Sequence, residues 1–324
     1  MDTKIPQGCL VHLPCNGHNL LKTSIFPFKQ LTHIEVKSYI TAPFCESIML
    51  QFPALQDASF SIGVVLEQPN SYDYRPAPII LPHLLAFKLE FVYASCQKFD
   101  TLDLARGRMS TLMSNIDFPA LGTLMWGAQN LSTPLPLSIL IEHESHTLKN
   151  LRSLVLMRVL FDTPAELTAL LGACPALESF ALFPATSSVT PISVLRVCTA
   201  APLPNLRDLA VAFYTPTVRE IEIITQAFPV LLHGLRDSNS SHPKKGVDFT
   251  LYFRHDNRSE AQEKEADKVI DILFNQLLMN YGEAEDDNEL SFELTVETLT
   301  ERIGDQEGFG WPAQFGNELT GHKE

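Results

Sequence analysis

The residues best suited to chemistry cluster first at the N-terminus, in the run Cys9, His12, Cys15 and His18. Two thiols and two imidazoles are good zinc ligands. Structural zinc sites, however, join two pairs of ligands across a loop or hairpin. Four ligands within ten residues, with Pro14 among them, leave little chain to wrap a tetrahedron, so no metal is expected here. His143-Glu144-Ser145-His146 resembles half of a zinc-protease helix, but its histidines are three apart where that motif needs four. It reads as a polar helix end. Gly308, Gly310 and Ala313 have the spacing of a dinucleotide loop, but Pro312 interrupts it and no strand leads into it. There is no phosphate loop, no Gly-x-Ser-x-Gly elbow and no Cys-x-x-Cys pair. The expectation is a binding protein, not an enzyme, with no cofactor.

Charge narrows the partners. The 324 residues carry a net charge of −14. From residue 256 onward there are 18 acids and 5 bases, so the rest of the chain is close to neutral. Nucleic-acid binding needs a basic face, and the Lys244-Lys245 and Arg106-x-Arg108 pairs are too small to make one. No apolar run reaches the length of a membrane span. The six cysteines follow no disulfide framework, and the first fifteen residues have no apolar stretch of signal-peptide length. An intracellular location, cytoplasmic or nuclear, is expected, with neither nucleic acid nor membrane as partner.

What positions side chains in this chain is a repeated phrase. An apolar residue, a proline, any residue and a leucine are followed by apolar residues three and five places after that leucine. The phrase begins at Phe52, Leu81, Phe118, Cys174 and Leu203. Two copies lack the proline, around Leu31 and Leu151, and a copy starting at Phe228 fails, with Gly234 and Arg236 in its apolar slots. The anchor leucines 31, 55, 84, 121, 151, 177 and 206 are spaced by 24, 29, 37, 30, 26 and 29 residues. Leucine-rich repeats run about 20–29 residues, so the longer steps carry insertions. The phrase ends in alternation, which suits a short strand with one buried face. Proline ahead of the leucine fixes φ and stops a preceding helix.

Helices are expected between the phrases. Thr163 caps one, with Pro164 in its first turn and Leu167, Leu170 and Leu171 inward. Others cover 42–50 and 217–227. The fold class expected is α/β: a leucine-rich-repeat solenoid of strand–helix units with a curved parallel sheet and a C-terminal βαβ cap. The expected organisation is a poorly defined segment over 1–24, the solenoid over 25–236, an acidic cap over 247–300 and a loose tail over 301–324. In the cap, strands carrying Phe249, Leu251 and Phe253 and then Phe292, Leu294 and Val296 flank a helix over 259–281. A crossover of this kind makes the two strands parallel.

In such a repeat the residues between the core positions line the other, concave face. Those expected to meet a protein partner are His33, Glu35, Lys37, Lys88, Glu90, Met125, Val155, Met157, Phe183 and Asp208. The early copies are polar; Met125, Val155, Met157 and Phe183 form an apolar stripe. A stripe rimmed by charge is either a binding surface or a covered one.

The recurrent Phe-Pro-Ala-Leu and Leu-Pro-Asn-Leu-Arg phrases, as at 52–55, 118–121 and 203–207, resemble the repeat region of fungal F-box proteins over residues 25–300. The resemblance implies that the repeats hold a protein substrate and that an F-box binds the adaptor of a cullin–RING ubiquitin ligase. No F-box-like segment is seen before Leu31, so the adaptor is expected as a partner only if an F-box lies upstream. The alternative is a free-standing scaffold or inhibitor with no ligase role, and an enzyme with an unrecognised site comes third.

Overall fold

A computed structural model describes residues 31–64, 78–93, 102–128, 135–143, 147–161, 163–184, 193–194, 196–197, 203–214, 247–255 and 292–300, together with Lys268, Asp271, Ile272 and Asn275. The chain divides into two units, Met1–Phe161 with Ala173–Leu177, and Asp162–Gly172 with Glu178–Glu324. Both are built on parallel β-sheet, so the fold class is α/β.

The first unit runs β1 (His33–Ile40), α1 (Ala42–Gln51), β2 (Asp57–Val64), β3 (Ile79–Ile80), β4 (Ala86–Tyr93), α2 (Leu102–Ser114), β5 (Ile116–Asp117), β6 (Thr123–Ala128), β7 (Leu135–Pro136), α3 (Ser138–His143), a 3-10 turn (Leu148–Asn150) and β8 (Ser153–Leu160). Its main sheet has the order β1-β2-β4-β6-β8, all parallel, with β7 against the end of β8. β3 and β5 make a separate parallel pair. The longest step between anchors, from Leu84 to Leu121, holds α2 and β5.

The sheet register reproduces the register of the sequence phrase. His33, Asp57, Ala86, Thr123 and Ser153, each two residues past its anchor leucine, face one another across the five strands. Each phrase makes the same turn. The Leu55 N–H donates to the Phe52 carbonyl at 3.2 Å, Leu84 to Leu81 at 3.3 Å, Leu121 to Phe118 at 3.1 Å, and Leu177 to Cys174 at 3.1 Å. Proline at the second position of such a turn has its φ already set. The proline-free copy around Leu151 closes the same turn, Leu151 to Leu148 at 3.2 Å.

The residue after each anchor links neighbouring phrases. The Thr32 carbonyl accepts from the N–H groups of Gln56 and Asp57 at 2.7 and 3.0 Å. Gln56 accepts from Leu85 and Ala86, Leu85 from Gly122 and Thr123, and Gly122 from Arg152 and Ser153. Because every carbonyl takes two donors, the strand starts are locked level.

The core lies on one face of this sheet. Ile34, Ala58, Phe87, Leu124 and Leu154 form one row across it, and Val36, Phe60, Leu89, Trp126 and Leu156 the next; all are at most 4% exposed. The aromatic residues interlock: Phe60 meets Phe87 at 6.2 Å between ring centres, Phe87 meets Phe118 at 4.9 Å, and Phe91 meets Trp126 edge-on at 5.1 Å. α1 buries Phe44, Cys45, Ile48 and Met49, and the Thr41 hydroxyl caps it by accepting from the Phe44 N–H at 3.4 Å.

The second unit contains α4 (Pro164–Gly172), β9 (Ser179–Pro184), β10 (Asp208–Tyr214), β11 (Val247–His255) and β12 (Phe292–Thr300). α4 buries Leu167, Leu170 and Leu171, the three leucines its spacing puts on one side. Its phrases repeat the same bonds: Leu206 donates to Leu203 at 3.2 Å, and the Glu178 carbonyl accepts from Arg207 and Asp208. β11 pairs in parallel with β10 over Asp208–Tyr214, and β12 pairs in parallel with β11 over nine residues. The expected parallel C-terminal pair is therefore present, and it extends the sheet of β9 and β10. Lys268, Asp271, Ile272 and Asn275, within the expected crossover helix, are helical. The expected helix over 217–227, the segment 1–24 with its Cys and His cluster, and the tail over 301–324 lie outside the described residues.

Candidate functional site

The second face of the first unit's sheet carries most of the residues singled out from the sequence. In one row across it stand Glu35, Ser59, Lys88, Met125 and Val155, in register from β1 to β8. In the next row stand Ser61, Glu90, Gly127 and Met157. The face changes character along these rows. Glu35, Ser59, Ser61, Lys88 and Glu90 are half-buried, whereas Met125, Val155 and Met157 are 1%, 1% and 4% exposed.

That burial decides between the two readings of the apolar stripe. Met125, Val155 and Met157 do not form an open surface; they are covered. Phe183, on β9 of the second unit, is likewise buried at 4%. A charge at Met157 would be placed in the interior, where an unpaired carboxylate is strongly disfavoured. Within these rows the residues that keep partial exposure to solvent are those of the polar half on β1, β2 and β4. His33 is exposed there, and its Nδ1 shares a hydrogen bond with the Thr32 hydroxyl at 2.8 Å. Lys37 belongs to β1, where a register irregularity falls between Val36 and Tyr39; its side chain lies outside the described residues. Asp208 is half-buried at the start of β10, level with Ser179.

The carboxylates of the polar half are perturbed by their surroundings. Burial pushes the Asp57 pKa up; the charge of His33 pulls it down and that of Glu35 pushes it up again. Burial also pushes Glu90 up, and Lys88, the Ser61 hydroxyl and Arg158 pull it back in that order. Ser61 donates to Glu90 Oε2 at 3.4 Å. At such a distance the bond is weak, so it offsets little of the cost of burial.

Arg158 was not singled out from the sequence. It is 7% exposed and has a φ of 52°. A left-handed backbone at a residue with a long side chain costs about 1–3 kcal/mol. It sits where β8 changes partner: pairing with β6 ends at Gly127 and Met157, and pairing with β7 begins at Leu135 and Val159. Its signal in the sequence is a single charge inside the otherwise apolar run Leu154–Leu160. Gly127 was also missed. A Cβ there would lie 2.6 Å from both Met157 Cβ and the Met157 carbonyl oxygen, so only glycine lets β8 pack this closely.

Other candidate chemistry is not assembled among the described residues. Among the described residues no group of three or more His, Cys, Asp or Glu could hold a metal ion. Burial raises the Cys45 thiol, helped by the charge of Glu46, and pushes Cys174 up to about 12. Both thiols stay protonated and are poor nucleophiles and ligands. α3 ends at His143, consistent with a polar helix end. No described helix is long and apolar enough to cross a membrane. No family model and no curated protein matches the chain. What is defined is an α/β protein with a parallel sheet whose second face is polar at one side and closed at the other.

Proposed function

We propose that the chain is a leucine-rich-repeat solenoid that binds a protein partner on the polar half of its sheet face, around His33, Glu35, Ser59, Lys88 and Glu90. The observation that carries the repeat reading is the coincidence of phrase, turn and register. The anchor leucines 55, 84, 121, 151, 177 and 206 close the same turn, and the carbonyls of Thr32, Gln56, Leu85, Gly122 and Glu178 each take two donors from the next phrase. Stacked repeats of this kind use the exposed sheet face for macromolecular partners. In the leading reading the partner is a substrate, as in the F-box proteins that the phrases resemble. In the second the chain acts alone as a scaffold or inhibitor.

The test is affinity capture of the endogenous chain, tagged at Glu324, with mass spectrometry of bait and prey. Ser59→Arg alters the proposed face, and Thr111→Arg alters an exposed position on α2. The expected result is prey lost with Ser59→Arg and retained with Thr111→Arg, both variants melting as the native chain does. Ligase adaptor among the prey supports substrate recognition, and its absence supports the free-standing role. Prey unaffected by Ser59→Arg removes this face as the binding site.

A further inference from the structure

Among the described residues, β1 and β12 each pair with a neighbour on one side only. An open edge presents a row of unpaired backbone N–H and C=O groups, and proteins blunt such edges with bulges, lysine, proline or a short strand. β1 is blunted twice: its register breaks between Val36 and Tyr39, and Lys37 falls in the break. β12 has none of these devices. Its nine residues, Phe292–Thr300, include no lysine, proline or glycine, and they pair with β11 without a shift in register. Phe292, Thr295, Val296, Thr298 and Thr300 are the β-branched and aromatic types that favour a strand.

We propose that the open edge of β12 takes an extended basic segment of a partner protein as an added strand, with lysine or arginine level with Glu293 and Glu297. Charge selects this occupant. Asp208, Asp248 and Glu293 stand level on β10, β11 and β12, and Glu297 lies four residues further along the edge strand, level with Tyr252. On this face of the three strands, opposite Leu209, Phe249 and Leu294, the register holds these four acids and one base, Arg254. Like charges level on neighbouring strands disfavour one another, and opposite charges stabilise the pair. A base on the next strand therefore continues the row favourably, and bases four residues apart match Glu293 and Glu297 in either strand direction. A second copy of the chain would bring the same acids to the edge. Residues 301–324 carry five acids and two bases, so they match it poorly as well. Backbone pairing along β12 supplies affinity, and the glutamates set register and sign. This surface is separate from the polar half around Glu35 and Glu90 and does not depend on it.

The experiment adds a short capped peptide of alternating lysine and valine to the full chain. NMR follows the β12 amides, by chemical shift for affinity and by hydrogen exchange for pairing. The expected result is that the peptide binds and protects every second amide of β12. The same peptide N-methylated on its backbone, which keeps the charge and loses the donors, should give no such protection. A peptide of alternating glutamate and valine should not bind. Glu293→Gln with Glu297→Gln should weaken binding of the lysine peptide by about 2- to 30-fold, the range that two cross-strand charge pairs give. The N-methylated peptide on the native chain keeps the test independent of how that variant folds. Lysine-peptide binding that leaves the β12 amides unprotected would overturn the proposal, as would equal binding of the glutamate peptide. Protection of those amides in the free chain at every dilution would assign the edge to another segment of the same chain. Protection that rises with protein concentration would assign it to a second copy. Either result would overturn the proposal too.

Discussion

Replacing Gly127 with alanine tests the packing of the covered half most sharply. A Cβ at that position would stand 2.6 Å from Met157 Cβ, 2.6 Å from the Met157 carbonyl oxygen and 3.1 Å from Met157 Cα. Ordinary carbon contacts are about 3.5–4.0 Å, so β6 and β8 must separate by most of an ångström. None of the atoms in the way is the end of a flexible side chain. Overpacking of this sort costs about 1–3 kcal/mol; the entropy gained by replacing a strand glycine returns about 0.5–1 kcal/mol. The net expectation is a loss of about 1–2 kcal/mol, or some 2–6 °C in melting temperature for a unit of this size. Urea unfolding with the full chain would read it. Gly107→Ala is the internal reference: nothing lies within 4 Å of a Cβ there, and it is on α2, so it should stabilise by about 0.5–1 kcal/mol. Met157→Ala should not rescue Gly127→Ala, because the clash is with Cβ and backbone. A Gly127→Ala protein as stable as wild type, or one rescued by Met157→Ala, would refute this packing.

Two further outcomes follow from the same interior. Cys45 and Cys174 should resist alkylation at pH 8 in the folded chain and react once it is unfolded in urea, read by mass spectrometry of labelled peptides; prompt native labelling of either would contradict their burial. Asp57→Asn should raise stability at neutral pH. The folded pKa of Asp57 lies above its unfolded value, so the wild type loses stability as pH rises through it, and the two proteins should converge below about pH 4. Melting curves from pH 3.5 to 7.5 that run parallel would count against that assignment.

Much of the sheet could be read in the sequence because the phrase couples two signals. The proline–leucine turn marks where each strand begins, and alternation after it marks which residues go inward. Ile34, Phe87, Leu154 and Leu209 are buried as that pattern requires. α4 was visible for the same reason, through Thr163, Pro164 and the three leucines. α2 was not: Leu102–Ser114 lies inside the longest insertion and carries Gly107, so neither phrase nor cap announces it. The pairs β3 with β5 and β7 with β8 are two residues long, too short for any periodicity to show.

The candidate site was legible only in part. Position in the phrase assigned Glu35, Lys88 and Glu90 to the second face, and the register places them there. The same rule assigned Met125, Val155 and Met157 to that face but could not say whether it is covered, since alternation along a strand sorts residues between faces and carries no information on what lies above either one. Arg158 lay outside the rule, because alternation fails where β8 changes partners. Its left-handed backbone has no glycine or asparagine to advertise it.

The most direct test of the account is the register itself, measured by amide-to-amide nuclear Overhauser effects in perdeuterated protein. Strands about 4.8 Å apart bring facing backbones within range. The account requires a continuous series in which Asp57 is level with Ala86, Ala86 with Thr123 and Thr123 with Ser153. A series displaced by one residue, or contacts showing antiparallel neighbours, would contradict the stacked phrases on which the fold and the binding face rest.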